Sequence, residues 1–181
     1  MRAFVAIDLP PVEGPVPAEL RPEDHLTLHF FEELPVEGIP PVVDAILDAV
    51  RECAPFDLEI RGVGAFPNPS RPRVVWAALA EGATTVESLA ERLRQALASR
   101  GFPTERRPFV PHRTLARIRS PREAAWATRF LAAPENVARR WTRTRVTELV
   151  LKESELTPTG ARHTVRERVP LGGLPRPSPV P

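Results

Sequence analysis

The word His25-Leu26-Thr27-Leu28 returns later in the chain as His112-Arg113-Thr114-Leu115, and this repetition constrains the fold more than any other feature. The chain has only 4 histidines, and two of them head the same word. On extended backbone, alternate side chains share a face. Each word therefore predicts a half-buried strand, over residues 25–31 and 111–118, with a histidine and a threonine side by side on its polar face. In the first strand His29 falls on the face of His25 and Thr27, while Leu26, Leu28 and Phe30 point into a core. In the second, His112 and Thr114 share a face and Leu115 is buried.

The elements after each word also repeat. Residues 2–8 read as a strand and 10–24 as a loop. Pro40-Pro41 opens a helix to about Cys53, with Val43, Ile46, Leu47 and Val50 at helical spacing. Strands are expected over 56–61 and 73–79, separated by the turn-rich Asn68-Pro69-Ser70-Arg71-Pro72. Thr84 and Glu87 match a capping box ahead of the stripe Val86, Leu89, Leu93 and Leu97, and Gly101 stops that helix. Ser120-Pro121-Arg122-Glu123 is a second capping box, starting a helix to about Ala133. Two more strands are expected over 144–152 and 162–169. Each motif strand is thus followed by a helix and then two strands, and the interval from His25 to Phe56 matches that from His112 to Thr144 to within a residue. This pattern reads as a diverged duplication. Residues 1–170 are expected to form one bilobal unit whose two pseudo-symmetric lobes each carry one His-x-Thr-Leu motif, on opposite walls of a cleft. The proline-rich 171–181 reads as a loose tail.

Composition narrows the class. A length of 181 residues with 42% apolar content supports one compact unit. No apolar run approaches the roughly 20 residues that span a bilayer. The N-terminal Met1-Arg2-Ala3-Phe4-Val5-Ala6-Ile7-Asp8 places an acid where a signal peptide would continue its apolar stretch, so it reads as a buried strand of a cytoplasmic protein. Cys53, the 1 cysteine, permits neither an internal disulfide nor a cysteine zinc site, and reads as an inert core thiol. The net charge is only +2, but Lys152 is the sole lysine among 25 basic residues. Arginine offers a planar fork suited to phosphate, although a GC-rich genome gives the same bias.

The motif residues point to chemistry at phosphorus without a metal. A histidine titrating at about 6.5 can act as base or acid near neutrality. In-line displacement needs one group to activate the incoming oxygen and another, on the opposite side, to protonate the leaving one. A duplicated fold supplies that arrangement by symmetry. The hydroxyls of Thr27 and Thr114 can donate to non-bridging oxygens. A metal pair of His25 and His29 has no third ligand in register, so neither metal nor other cofactor is expected. His163 has no matching threonine-leucine word and reads as surface or cleft rim.

Several blocks together resemble the 2H phosphoesterases, specifically the branch called RNA 2′,3′-cyclic phosphodiesterase or 2′-5′ RNA ligase. They are Arg2-Ala3-Phe4-Val5-Ala6-Ile7-Asp8-Leu9-Pro10, His25-Leu26-Thr27-Leu28-His29-Phe30, Gly64-Ala65-Phe66-Pro67 and Arg71-Pro72-Arg73-Val74-Val75-Trp76. The block Phe109-Val110-Pro111-His112-Arg113-Thr114-Leu115-Ala116-Arg117 is the most specific, and Leu149-Val150-Leu151-Lys152-Glu153-Ser154 with Gly160 completes the set. The resemblance implies an α+β bilobal fold, with two antiparallel sheets facing a central cleft and helices outside. It implies hydrolysis of RNA 2′,3′-cyclic phosphate ends to 2′-phosphomonoesters, with ATP-independent 2′-5′ ligation as a side activity. It makes His25 the proton donor and His112 the acceptor, roles that the residues alone leave open. Arg117 is a phosphate or RNA contact by resemblance, although strict alternation points it away from His112. Two departures stand out: Phe31-Glu32-Glu33-Leu34 lacks the glycine usual in relatives, and His163 stands where relatives often have tyrosine. The expected partner is an RNA end, with no membrane and no need for more than a monomer. Competing readings are a 2H enzyme for small cyclic nucleotides or 2′-5′ oligonucleotides, a non-catalytic RNA binder, and a metal-dependent hydrolase, which EDTA would reveal.

Overall fold

The computed structural model describes residues 1–105, 107–158 and 160–172. Strand β1 (Ala3–Asp8) is almost wholly buried, as its apolar run requires, and β2 (His25–Phe31) returns antiparallel beside it. A short 3-10 turn leads to α1 (Ile39–Val50), with proline in its first turn. Then come β3 (Phe56–Phe66), β4 (Val74–Glu81) and α2 (Ala83–Ala98), followed by the second motif strand, β5 (His112–Arg117). Helices α3 (Pro121–Ala132) and α4 (Pro134–Ala138) precede β6 (Arg140–Val146), β7 (Glu148–Thr157) and β8 (Gly160–Pro170). The strands form two antiparallel four-stranded sheets, in the orders β2-β1-β7-β8 and β5-β4-β3-β6. The fold is the expected α+β pair of antiparallel sheets, and the two motif strands are edge strands of different sheets.

The strands that come after the first motif do not stay with it. Both β3 and β4 join the second sheet, and β7 and β8 complete the first. The chain passes from the first sheet to the second after α1 and returns through the single residue Thr147 between β6 and β7. One apolar core spans both sheets, from Val5 and Ile7 through Ile46 and Leu93 to Leu58, Leu115 and Trp141. Helices α1 and α2 pack on each other and reach β8 and β2, while α3 and α4 lie against β3.

Several boundaries differ from the sequence reading for physical reasons. The expected strand 144–152 straddles the break at Thr147, because apolar residues continue on both sides of the crossing. Strand β3 runs beyond 61 to Phe66, through Gly62 at φ 76°, where glycine masks the alternation. The Thr84–Glu87 capping box does not form: Gly82, at φ 80°, is the N-cap, turning the chain from β4 straight into α2 with Thr84 already inside the helix. The Ser120–Glu123 box does form, with both reciprocal hydrogen bonds. Helix α1 ends at Val50, so Cys53 lies beyond it; it is buried, and burial pushes its thiol up. Of the expected tail, Leu171 is buried and its N–H donates to the Thr147 carbonyl, while Gly172 donates to Val50. The rest, 173–181, lies outside the described residues.

Candidate active site

Each motif strand bulges at the same letter of its word. In the β1–β2 ladder Ala6 opposes Thr27 and Val5 opposes His29, leaving Leu28 as the extra residue. In the β4–β5 ladder Trp76 opposes Thr114 and Val75 opposes Ala116, leaving Leu115 as the extra residue. A bulge resets the alternation downstream. Opposed residues share a face, so His25 and Thr27 keep company with Asp8 and Ala6, as expected, but Phe30 joins Phe4 on that same face. His29 turns to the other face with Val5 and Phe31, its ring 4.5 Å from that of Phe31. This corrects the placement of His29 beside His25 and of Phe30 in the core: Phe30 is 41% exposed, with Arg2 stacked over its ring. Burial pulls His29 below its ordinary pKa, opposed by Glu105, and its Nε2 is buried without a hydrogen-bond partner. Among the described residues, no cluster of metal-binding side chains contains His29.

In the second motif the same reset works the other way. Arg117 opposes Val74, and so stands on the face of Trp76, Thr114 and His112, where strict alternation put it on the opposite one. Arg113 opposes Ala77 on the buried face, as alternation requires.

His25 is buried at the start of β2, its ring 4.6 Å from Phe4 and 5.0 Å from His163. Its Nδ1 lies 2.9 Å from Asp24 Oδ1 and its Nε2 3.5 Å from Glu23 Oε2. Burial works against ionisation of Asp24, yet its bond to His25 and the charges of Lys152, His25 and His163 together hold it below the usual carboxylate value. His163 reaches this place from β8, through its register opposite Ser154. It is therefore part of the His25 cluster rather than a bystander at the rim. Burial lowers its pKa, reinforced by His25 and Lys152 and opposed by Asp24 and Glu23. Lys152, buried on the same face, pairs with Asp8 at 2.6 Å.

His112 stands in an aromatic frame. Its ring is 5.0 Å from Phe66 and 6.1 Å from Trp76, and its Nδ1 is 2.7 Å from the Val110 carbonyl oxygen. Trp76 in turn lies flat on Gly64, so close that a Cβ there would overlap the indole.

The two motifs are joined through the segment just before β2. The Arg21 and Glu23 N–H groups donate to the carbonyls of Leu115 and Thr114. The Arg113 guanidinium donates to the carbonyls of Glu23 and Pro10 and to Thr142 Oγ1. The Glu23 carboxylate spans the seam, with Oε1 2.9 Å from Arg117 and Oε2 facing His25. Sequence reasoning missed Glu23, Asp24 and the aromatic frame. The only available signal was two acids directly ahead of a motif histidine.

The 2′-5′ RNA ligase superfamily profile matches residues 12–156. The chain belongs to this superfamily. An RNA 2′,3′-cyclic phosphodiesterase from Methanothermobacter thermautotrophicus is 36% identical over 149 residues, covering 82% of this chain and 79% of the relative. One from Thermus thermophilus is 35% identical, covering 96% of this chain and 91% of the relative. The crystal structure of a protein from Thermus thermophilus superposes with a TM-score of 0.69 at 32% identity, covering 96% of this chain and 99% of its own. That of E. coli LigT complexed with 3′-AMP gives 0.67 at 28% identity, covering 94% and 97%.

Proposed function

We propose that this member of the 2′-5′ RNA ligase superfamily hydrolyses RNA 2′,3′-cyclic phosphate ends to 2′-phosphomonoesters without a metal. The observation that carries the reading is the pair of motif histidines on adjoining edge strands of two sheets, each with a hydrogen-bond acceptor at its Nδ1. The hydrogen bonds also support a division of labour. The Nδ1–H of His112 donates to Val110, which leaves the Nε2 lone pair free to take a proton. His25 has a carboxylate at each ring nitrogen, so both N–H groups of its doubly protonated form have an acceptor. His112 then removes a proton from water, the water oxygen bonds to phosphorus, the bond from phosphorus to the 3′ oxygen breaks, and His25 protonates that oxygen. Thr27 shares the face of His25, and Thr114 and Arg117 share the face of His112, and the three supply donors for the non-bridging oxygens. A 5′-hydroxyl in place of water gives a 2′-5′ linkage, the side reaction. Both histidines come from one chain, so a monomer suffices.

The test is hydrolysis of an oligoribonucleotide ending in a 2′,3′-cyclic phosphate, in EDTA, by the wild type, His25→Ala and His112→Ala. Release of a 2′-phosphate by the wild type, with most turnover lost in each variant, is expected. Wild-type turnover that vanishes in EDTA would overturn the metal-free reading. Full activity in either variant would remove that histidine from the mechanism.

A further inference from the structure

We propose that Asp24, His25 and His163 form a site for a divalent transition-metal ion of the Zn2+ type, and that its occupancy silences the catalytic acid. One donor atom from each of the three lies within 4.8 Å of the others. The two imidazoles meet nearly edge to face, at 81°, and both rest on Phe4, which is 4.6 Å from one and 4.9 Å from the other. They come from different strands, β2 and β8, on the same face of the first sheet. Two imidazoles with one carboxylate suit Zn2+, Co2+, Ni2+ and Cu2+, whereas Mg2+ and Ca2+ favour all-oxygen sets. Bonds of about 2.0–2.1 Å require the donors to draw together. Asp24, whose side chain is 70% exposed, has the freedom to do so.

The surrounding charge is mixed. Glu23 and Asp8 add carboxylates, while the Lys152 cation is paired with Asp8 and Arg117 with Glu23. A metal ion bound to one imidazole nitrogen takes the place of the proton that makes the ring an imidazolium, and the N–H left on the other nitrogen is a far weaker acid, so a metallated His25 is a poor donor to the leaving oxygen. Binding thus releases protons and weakens as pH falls. This second consequence, loss of turnover, rests on the acid role proposed for His25; the binding itself does not.

Chelator-stripped full-length protein is titrated with Co2+, following its visible absorption, for the wild type, His163→Gln and Asp24→Asn, with His29→Leu as control. The expected result is a set of Co2+ bands that saturates at a single ion, is erased by Zn2+, persists in His29→Leu and is lost in His163→Gln and Asp24→Asn. Asp24 is exposed, so its variant reports on ligation rather than folding. In parallel, Zn2+ is expected to stop wild-type hydrolysis of the cyclic-phosphate oligonucleotide, with EDTA restoring it. Wild-type protein without Co2+ bands, or bands unchanged in both ligand variants, would overturn the site. Bands without any hydrolysis would leave the site standing and remove the proposed function instead.

Discussion

At the scale of single residues, the two histidines are equipped differently although their words match. His112 is boxed by Phe66 and Trp76, and Trp76 owes its position to the missing side chain of Gly64. Gly64→Ala must push the indole off β3 and disturb the wall beside His112. Turnover is expected to fall by about 10–100-fold with the fold intact, the usual consequence of misplacing a reacting group by about 1 Å. Steady-state kinetics beside a circular dichroism spectrum checks this, and unchanged turnover would show that the aromatic frame does not position His112. Glu23 acts in the opposite sense. Its carboxylate already occupies the space between Arg117 and His25, two groups that a substrate phosphate needs. Glu23→Gln keeps the shape and removes the competing charge. An exposed pair of this kind is worth about 0.2–1 kcal/mol, so KM should fall by up to about fivefold. A rise in KM would mean that Glu23 helps to bind the substrate rather than standing in its way.

At the scale of elements, the shared bulge decides which side chains reach the site. Both motif histidines and both threonines were legible in the sequence because they precede the bulge, where the period of two still holds. His29, Phe30 and Arg117 come after it, and a sequence carries no mark of an extra residue in a ladder; each of the three therefore lies on the face opposite to simple alternation. The break between β6 and β7 was hidden for a related reason, since Val146 and Leu149 are buried on either side of it. The reset has an energetic consequence at His29. The fold holds this imidazole below its ordinary value of 6.5, chiefly through burial. The unfolded chain therefore binds more protons than the folded one as pH falls through that range. The stability contributed by neutral His29 is full above about pH 6.5 and declines below it. His29→Leu should remove part of this acid sensitivity. It should also stabilise the fold by on the order of 1 kcal/mol, because it replaces a buried nitrogen that has no partner. Thermal unfolding at about pH 5 and about pH 8 measures both effects. Equal acid sensitivity in wild type and variant would show that His29 is hydrated rather than buried.

At the scale of the whole molecule, the second sheet is built from one continuous stretch, β3 to β6, set between the parts of the first. Simple halving of the chain does not give the two sheets, even though the order of elements reads as a duplication. What unites them is the common core and one buried cation. The side chain of Arg113 is 2% exposed; it crosses the seam to two carbonyls on the N-terminal segment and also donates to one hydroxyl on β6 of its own sheet. Burial lowers its pKa, opposed by the charge of Asp24. The letter between histidine and threonine in the second word is thus a tie between sheets, whereas the same letter in the first word, Leu26, is simply apolar core. Arg113→Met fills much of the volume but leaves three oxygens without their donor. A loss on the order of 3 kcal/mol is expected, because hydrogen bonds from a charged group are among the stronger ones. The loss should fall on the molecule as a unit, since the core is continuous. The protein provides its own probe: Trp76, Trp126 and Trp141 all belong to the second sheet or to α3, which lies against it, while far-UV circular dichroism reports both sheets. Urea transitions followed by tryptophan fluorescence and by far-UV circular dichroism should coincide in the wild type, and should shift together to lower urea in Arg113→Met. Transitions that separate, with fluorescence outlasting dichroism, would mean that the second sheet survives alone and that the seam, not the core, holds the site together.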